Sequence, residues 1–129
     1  MDTLCRRILC VDDDTDTCDM VSFFLGQAGF DVRVARSLLG ALELARDERF
    51  DLYILDNRLS DGTGLELFEQ IRAFDHATPV IFCSGEGDLV EERALGMGVH
   101  QFLRKPVGLD HLTSAVSRLT AEAAPRRTC

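Results

Sequence analysis

The 129-residue sequence predicts a doubly wound α/β domain: three layers around a parallel five-stranded sheet of order 2-1-3-4-5. Three observations lead there. Short apolar runs alternate with longer amphipathic stretches along the chain, the pattern of βα units. Four runs end in a residue suited to phosphate or metal. Ile8-Leu9-Cys10-Val11 runs into Asp12, Asp13 and Asp14; Tyr53-Ile54-Leu55 into Asp56; Val80-Ile81-Phe82-Cys83 into Ser84; and Phe102-Leu103-Arg104 into Lys105-Pro106. The remaining run, Phe30-Asp31-Val32-Arg33-Val34, alternates apolar and charged residues, so one of its faces is wet and it belongs at a sheet edge.

The elements follow in order. The first strand covers residues 7–11. The first helix covers 15–28, with Met20, Val21, Phe24, Leu25 and Ala28 at helical spacing and Gly29 as the residue that closes it. The edge strand is 30–35. Ser37 is placed to cap the second helix, 38–48, which carries Leu38, Leu42 and Ala45 on one face. The third strand, 52–55, is apolar throughout, as a strand covered on both faces must be. A polar loop, 57–63, ends in the turn pair Asp61-Gly62 and leads to a third helix, 64–74, with Leu67, Ile71 and Phe74 on one side. Pro79 opens the fourth strand, 80–83, where its missing N–H is harmless. The loop Ser84-Gly85-Glu86-Gly87 precedes a short fourth helix, 88–96, and the fifth strand is 99–104. Leu109, Leu112, Val116 and Leu119 mark the fifth helix. From residue 121 the pattern fades, so 1–121 reads as one domain and 122–129 as a tail or a cut linker. Right-handed crossovers and the wet edge strand give the order 2-1-3-4-5, which sets Asp12, Asp13 and Asp56 side by side where the strand order reverses.

Bulk properties narrow the function classes. The formal charge of −8 argues against a nucleic-acid-binding surface. No run of about 18 apolar residues exists to span a membrane, and the start of the chain lacks the layout of a secretory signal, so a cytoplasmic location is expected. The five cysteines are scattered without a C-x-x-C pair; Cys10 and Cys83, inside apolar runs, read as small buried hydrophobes.

The strand ends carry the chemistry. Crowded carboxylates raise one another's pKa, and a divalent cation relieves that. Hard, oxygen-only ligation suits magnesium, which is commonly used with phosphate; manganese accepts similar ligands. Lys105 supplies a compact positive charge for phosphate oxygens and Ser84 a hydroxyl. A carboxylate can itself be the nucleophile and form an aspartyl phosphate. Each piece alone has a plain reading: an acidic triplet at a helix start, a turn aspartate, a capping serine. Four strand ends in the right order are far less common by chance. Two other acidic motifs fail. A calcium loop counted from Asp12 has Thr17 where glycine is needed and Phe23 where glutamate is needed. The Asp-x-Asp-x-Thr opening of dehalogenase-type phosphatases finds Asp16 or Cys18 in place of the threonine.

At these residues the chain resembles the receiver domain of two-component response regulators, a CheY-like family with a flavodoxin-like fold. Ile8 to Asp13 resembles its first strand and acidic pair, Asp56 its phosphoacceptor, Leu59-Ser60-Asp61-Gly62-Thr63-Gly64-Leu65-Glu66-Leu67 its loop into the third helix, Ser84 its hydroxyl residue and Lys105-Pro106 its lysine–proline motif. The resemblance implies that a sensor histidine kinase or a histidine phosphotransfer protein donates a phosphoryl group to Asp56. It implies Mg2+ (or Mn2+) on Asp13, Asp56 and the Arg58 backbone carbonyl, with Asp12 acting through water, and with Ser84 and Lys105 gripping the phosphoryl oxygens. Ser84 and Phe102 would be the switch residues, Lys105-Pro106 a cis peptide, and the face of the fourth helix, fifth strand and fifth helix the surface that changes and that could pair two copies. Arg58 and Glu86, two residues beyond Asp56 and Ser84, fall where the family modulates autodephosphorylation; an Arg58–Glu86 pair over the site would hinder attacking water. Ser60, Gly85 and Val107 stand where the family more often has proline, alanine and a bulky aromatic, and none removes a chemical group from the site. The implied function is a phosphoacceptor signalling domain that controls a fused output domain or a downstream effector, and not an ordinary turnover enzyme. The alternative is a receiver that acts without phosphorylation, as a pure interaction module.

Overall fold

The computed structural model describes residues 6–121. Seven strands and five helices run in the order β1 (Arg7–Val11), α1 (Thr15–Gln27), β2 (Asp31–Ala35), α2 (Leu38–Asp47), β3 (Leu52–Asp56), β4 (Arg58–Leu59), β5 (Gly62–Thr63), α3 (Gly64–Arg72), β6 (Val80–Ser84), α4 (Asp88–Met97), β7 (Gln101–Arg104) and α5 (Leu109–Ala121). The main sheet is parallel, in the order β2-β1-β3-β6-β7. With the two-residue strands of the β4–β5 hairpin set aside, this is the predicted 2-1-3-4-5 order. The hairpin, Arg58 opposite Thr63 and Leu59 opposite Gly62, lies in what the sequence presents as a plain polar loop.

Alternate residues of the central strands feed two cores, because successive side chains of a strand point to opposite faces. Leu9, Val11, Tyr53, Leu55, Val80 and Phe82 pack with residues of α2, α3 and α4 on one side. Ile8, Cys10, Leu52, Ile54, Ile81 and Cys83 pack with α1 and α5 on the other. β3 and β6 are buried along their whole length, while β2 is mostly exposed, as its alternation requires. Cys10, Cys18 and Cys83 are free and buried; burial pushes the Cys83 thiol up to about 12, so it stays protonated and inert.

Local chemistry sets the element ends. Ser37 caps α2, its Oγ accepting from Gly40 N at 3.0 Å. Thr63 and Glu66 form a reciprocal capping box at the start of α3. Gly29, with φ +96°, turns the chain out of α1, a conformation that costs a residue with a Cβ. One predicted stripe is narrower than expected. In α1, Val21 and Leu25 are buried with Cys18, but Met20 and Phe24 are 47% and 44% exposed. Positions 18, 21 and 25 share the one face of the helix that meets the sheet, and positions 20 and 24 fall beside it. Similarly α3 ends at Arg72, so Phe74 lies beyond it, half-exposed under the Arg46 guanidinium. The tail or linker expected at 122–129 lies outside the described residues.

Candidate phosphoryl and metal site

Strand register assembles the cleft. Val11 pairs with Leu55, Asp56 with Cys83, and Ser84 with Arg104, so Asp12, Asp56, Ser84 and Lys105 emerge at one edge of the sheet. Lys105 N donates to Ser84 O at 3.0 Å and Asp12 N to Ala35 O at 3.1 Å, extending the ladders by one residue and fixing these positions. A cleft of about 550 Å³ results, lined by Asp12, Asp13, Asp14, Asp56, Arg58, Ser84, Gly85, Glu86 and Lys105. It lies outside the carboxyl ends of β1 and β3, where the sheet order reverses and open α/β sheets take ligands.

The cleft is electrostatically unbalanced. One carboxylate oxygen from each of Asp12, Asp13 and Asp56 lies within 4.8 Å of the others. Asp12 and Asp56 are buried and Asp13 is exposed. The Lys105 ammonium is the cation among them, 3.0 Å from Asp12 Oδ2 and 3.2 Å from Asp56 Oδ1. Burial first, and then repulsion from Asp12, push the Asp56 carboxyl up to about 6 against the pull of Lys105. Burial disfavours the Lys105 charge, but its hydrogen bond to Asp12 and the nearby carboxylates hold its pKa above the ordinary value. The donors are all hard oxygens, and they need more positive charge than the chain provides. A small divalent cation fits that donor set.

Close packing holds Asp56 in place. A Cβ on Gly64 would lie 2.4 Å from Asp56 O and 3.0 Å from the Phe82 ring, so only glycine lets α3 begin against the end of β3. Asn57 is buried. Its backbone O accepts from Gly64 N at 2.9 Å, its Oδ1 from Leu65 N at 3.3 Å, and its Nδ2 donates to Glu86 Oε1 at 2.7 Å. Sequence reasoning passed over both residues. A glycine directly after the capping threonine, and an amide directly after the strand-end carboxylate, were the signals that could have found them.

The other expected site residues fall as follows. Ser84 is buried, and its Oγ accepts from Glu86 N at 3.0 Å. Phe102 is partly buried and stacks on Phe82, ring centroids 5.8 Å apart. The Lys105–Pro106 peptide is cis. Asp14 turns away from the metal cluster: its N–H donates to Asp12 Oδ1 at 3.0 Å and its own carboxylate accepts from Thr17 Oγ1, at the start of α1. The expected Arg58–Glu86 ion pair does not form. Glu86 takes the buried amide of Asn57 instead, while Arg58 sits exposed on the hairpin. Asp61, in the same hairpin, accepts from Leu38 N at 2.7 Å and Leu39 N at 3.0 Å and so ties the loop to the start of α2.

Fold and cleft together define a class: a doubly wound α/β domain with an acidic, lysine-bearing crevice at its switch point. The family model for the response regulator receiver domain matches residues 8–117, and the chain belongs to that family, the receiver domains of two-component systems. It is 38% identical over 113 residues, 87% of its length, to the response regulator protein PilR of Pseudomonas aeruginosa, and spans 25% of that protein. It is 32% identical over 115 residues, 88% of its length, to the transcriptional regulatory protein CrdR of Helicobacter pylori, of which it spans 54%. Among solved structures, a CheY-like receiver domain from Methanospirillum hungatei superposes with a TM-score of 0.87 at 29% identity, covering 91% of this chain and 94% of that one. The non-phosphorylated HemR receiver domain from Leptospira biflexa gives 0.86 at 30% identity, covering 95% and 99%. The chain spans about a quarter of the length of the first curated relatives it matches. No helix of the described residues is long and apolar enough to cross a membrane.

Proposed function

We infer that this domain accepts a phosphoryl group on Asp56 from a phosphohistidine of a sensor kinase or phosphotransfer protein. The observation that carries this is the Asp56 carboxylate itself: buried, crowded by Asp12, and 3.2 Å from the Lys105 ammonium. An Asp56 carboxylate oxygen forms the new bond to phosphorus as the phosphorus–nitrogen bond breaks, and the electron pair of that bond stays on the departing imidazole nitrogen, which takes its proton from solvent. Lys105, already directed at Asp56, neutralises charge on the transferred oxygens. The Ser84 hydroxyl donates to another. Asp12, Asp13, Asp56 and the Arg58 carbonyl would hold Mg2+, or Mn2+ in its place. When bound, that cation would offset the carboxylate repulsion and part of the negative charge of the phosphoryl group.

The consequence lies beyond the cleft. Ser84 ends β6 beside Arg104 of β7, and Phe102 stacks on Phe82 two residue pairs away. A shift of the Ser84 loop would reach the α4-β7-α5 face, which would then control a fused output domain or a separate effector, or pair with a second copy. Residues 1–121 serve as the receiver unit, working in the cytoplasm, with no membrane or nucleic-acid contact of their own.

Incubation with acetyl phosphate and Mg2+ tests this reading by intact mass. The wild-type chain gains one phosphoryl group and Asp56→Asn gains none. An unmodified wild-type chain would favour the phosphorylation-independent module.

A further inference from the structure

The loop between β6 and α4 is held by one side chain. Gly85 and Gly87 have none to offer, and Glu86 between them makes two contacts. Its carboxylate accepts from the buried Asn57 amide at 2.7 Å, and its backbone N–H donates to Ser84 Oγ at 3.0 Å. Asn57 is a firm anchor, because its backbone and its other side-chain atom are engaged by Gly64 and Leu65 at the start of α3. The clamp therefore fixes the loop to the segment that follows Asp56, and through Glu86 N–H it sets where the Ser84 hydroxyl sits.

We propose that Asn57 and Glu86 form a clamp that positions Ser84 in the unphosphorylated protein and is released by the charge of a phosphoryl group on Asp56. The proposal rests on Asp56 as the acceptor. Glu86 shares the cleft with Asp12, Asp13, Asp14 and Asp56. The phosphoryl group carries roughly 1.5 to 2 negative charges in place of the single charge of the Asp56 carboxylate. Repulsion then acts on the Glu86 carboxylate, while Asn57 is neutral and buried and feels little. The hydrogen bond weakens on the Glu86 side, and the loop is freed to bring the Ser84 hydroxyl to the phosphoryl oxygens. Asn57 and Glu86 act through Ser84 and are positioning residues. Glu86 works here by anchoring the loop, a different role from shielding the site against water.

Solvent-exchange NMR at the residue 86 amide tests the clamp, with beryllofluoride and Mg2+ as the phosphoryl mimic. In the wild-type chain this amide exchanges about fivefold or more faster once beryllofluoride is bound. Glu86→Ala removes the clamp, so exchange is about tenfold faster in the free protein and changes little on adding the mimic. Glu86→Gln keeps the acceptor oxygen but not the charge. Its amide exchanges within about twofold of the free wild type both without and with the mimic, because no repulsion opens it. A Glu86→Ala amide as protected as wild type overturns the clamp. A Glu86→Gln amide that opens with the mimic as the wild type does overturns release by charge. Failure of the wild type to bind beryllofluoride would count against Asp56 as acceptor, and the comparison of the free proteins would still decide the clamp.

Discussion

Asp56 and Asp75 are both drawn into the protein, at opposite ends of the sheet, and their surroundings treat them in opposite ways. Asp75, in the segment leading to β6, accepts four hydrogen bonds: from Tyr53 OH at 2.9 Å, Thr78 Oγ1 at 2.7 Å, Thr78 N at 3.1 Å and Ala77 N at 3.3 Å. Burial would raise its pKa, but the Thr78 and Tyr53 hydrogen bonds outweigh it, and the carboxyl is held below the ordinary value. Arg72 completes the network, donating to Asp75 O and Thr78 O and stacking over the Phe68 ring. Asp56 has another carboxylate beside it and the Lys105 ammonium as its attractive partner, and its pKa rises to about 6. A half-buried carboxylate supplied with donors is a structural part. A buried one starved of donors and crowded by its own kind is ready for a cation and an electrophile.

Substitution of each aspartate should separate the two roles most strongly. Asp56→Asn abolishes phosphoryl uptake, and by ending the burial of a charge and its repulsion from Asp12 it stabilises the metal-free protein by on the order of 2 kcal/mol at pH 8. Urea unfolding in chelator measures this. Asp75→Ala does the reverse. It removes the acceptor of several partly buried donors, costs about 3 kcal/mol of stability, and leaves phosphoryl uptake intact while the domain is folded.

The pH dependence carries the same opposition. Asp56 has a folded pKa, about 6, above the ordinary value near 3.8, so between these values the folded state binds more protons than the unfolded state. Its contribution to metal-free stability therefore falls as pH rises from about 4 to 6. Asp75 has a lowered folded pKa, so its contribution is present above the ordinary carboxylate range and is lost as pH falls through the folded value. Unfolding free energies of wild type, Asp56→Asn and Asp75→Ala from pH 3 to 8 should show the two slopes disappear separately.

Smaller effects sharpen the comparison at its edges. Gly64→Ala forces the end of β3 away from α3, costing about 2 kcal/mol and slowing phosphoryl uptake, which a time course with acetyl phosphate would detect. Arg58→Ala should alter the phosphoryl half-life by no more than about twofold, because its exposed guanidinium makes no ion pair with Glu86.

The sequence displayed the Asp56 region far better than the Asp75 region. Asp12, Asp13, Asp56, Ser84 and Lys105 each follow an apolar run, and parallel pairing carries such strand ends to one edge whatever the details of packing. The two cores were readable for a similar reason, since period-two and helical patterns record burial directly. The Asp75 network was not readable. It joins Tyr53, in the middle of an apolar run, to Asp75 and Thr78 in the turn between α3 and β6, a contact set by that turn and by the pairing of β3 with β6. Asn57, Gly64 and the β4–β5 hairpin were missed because their meaning is a tertiary distance: a Cβ that would strike Asp56 O, or an amide that reaches Glu86 across two loops. Their places two residues beyond Asp56 and Ser84 suggested Arg58 as the partner of Glu86, whereas the neighbouring buried amide of Asn57 takes that carboxylate.

The most direct measurement follows the carboxyl carbons of Asp56 and Asp75 by 13C NMR in the metal-free protein as pH is varied, then repeats the titration with Mg2+. The account predicts a midpoint near 6 for Asp56 and one below the ordinary carboxylate range for Asp75, with added Mg2+ moving Asp56 downward and leaving Asp75 unchanged. Ordinary midpoints for both, or a Mg2+ response at Asp75 and none at Asp56, would contradict it.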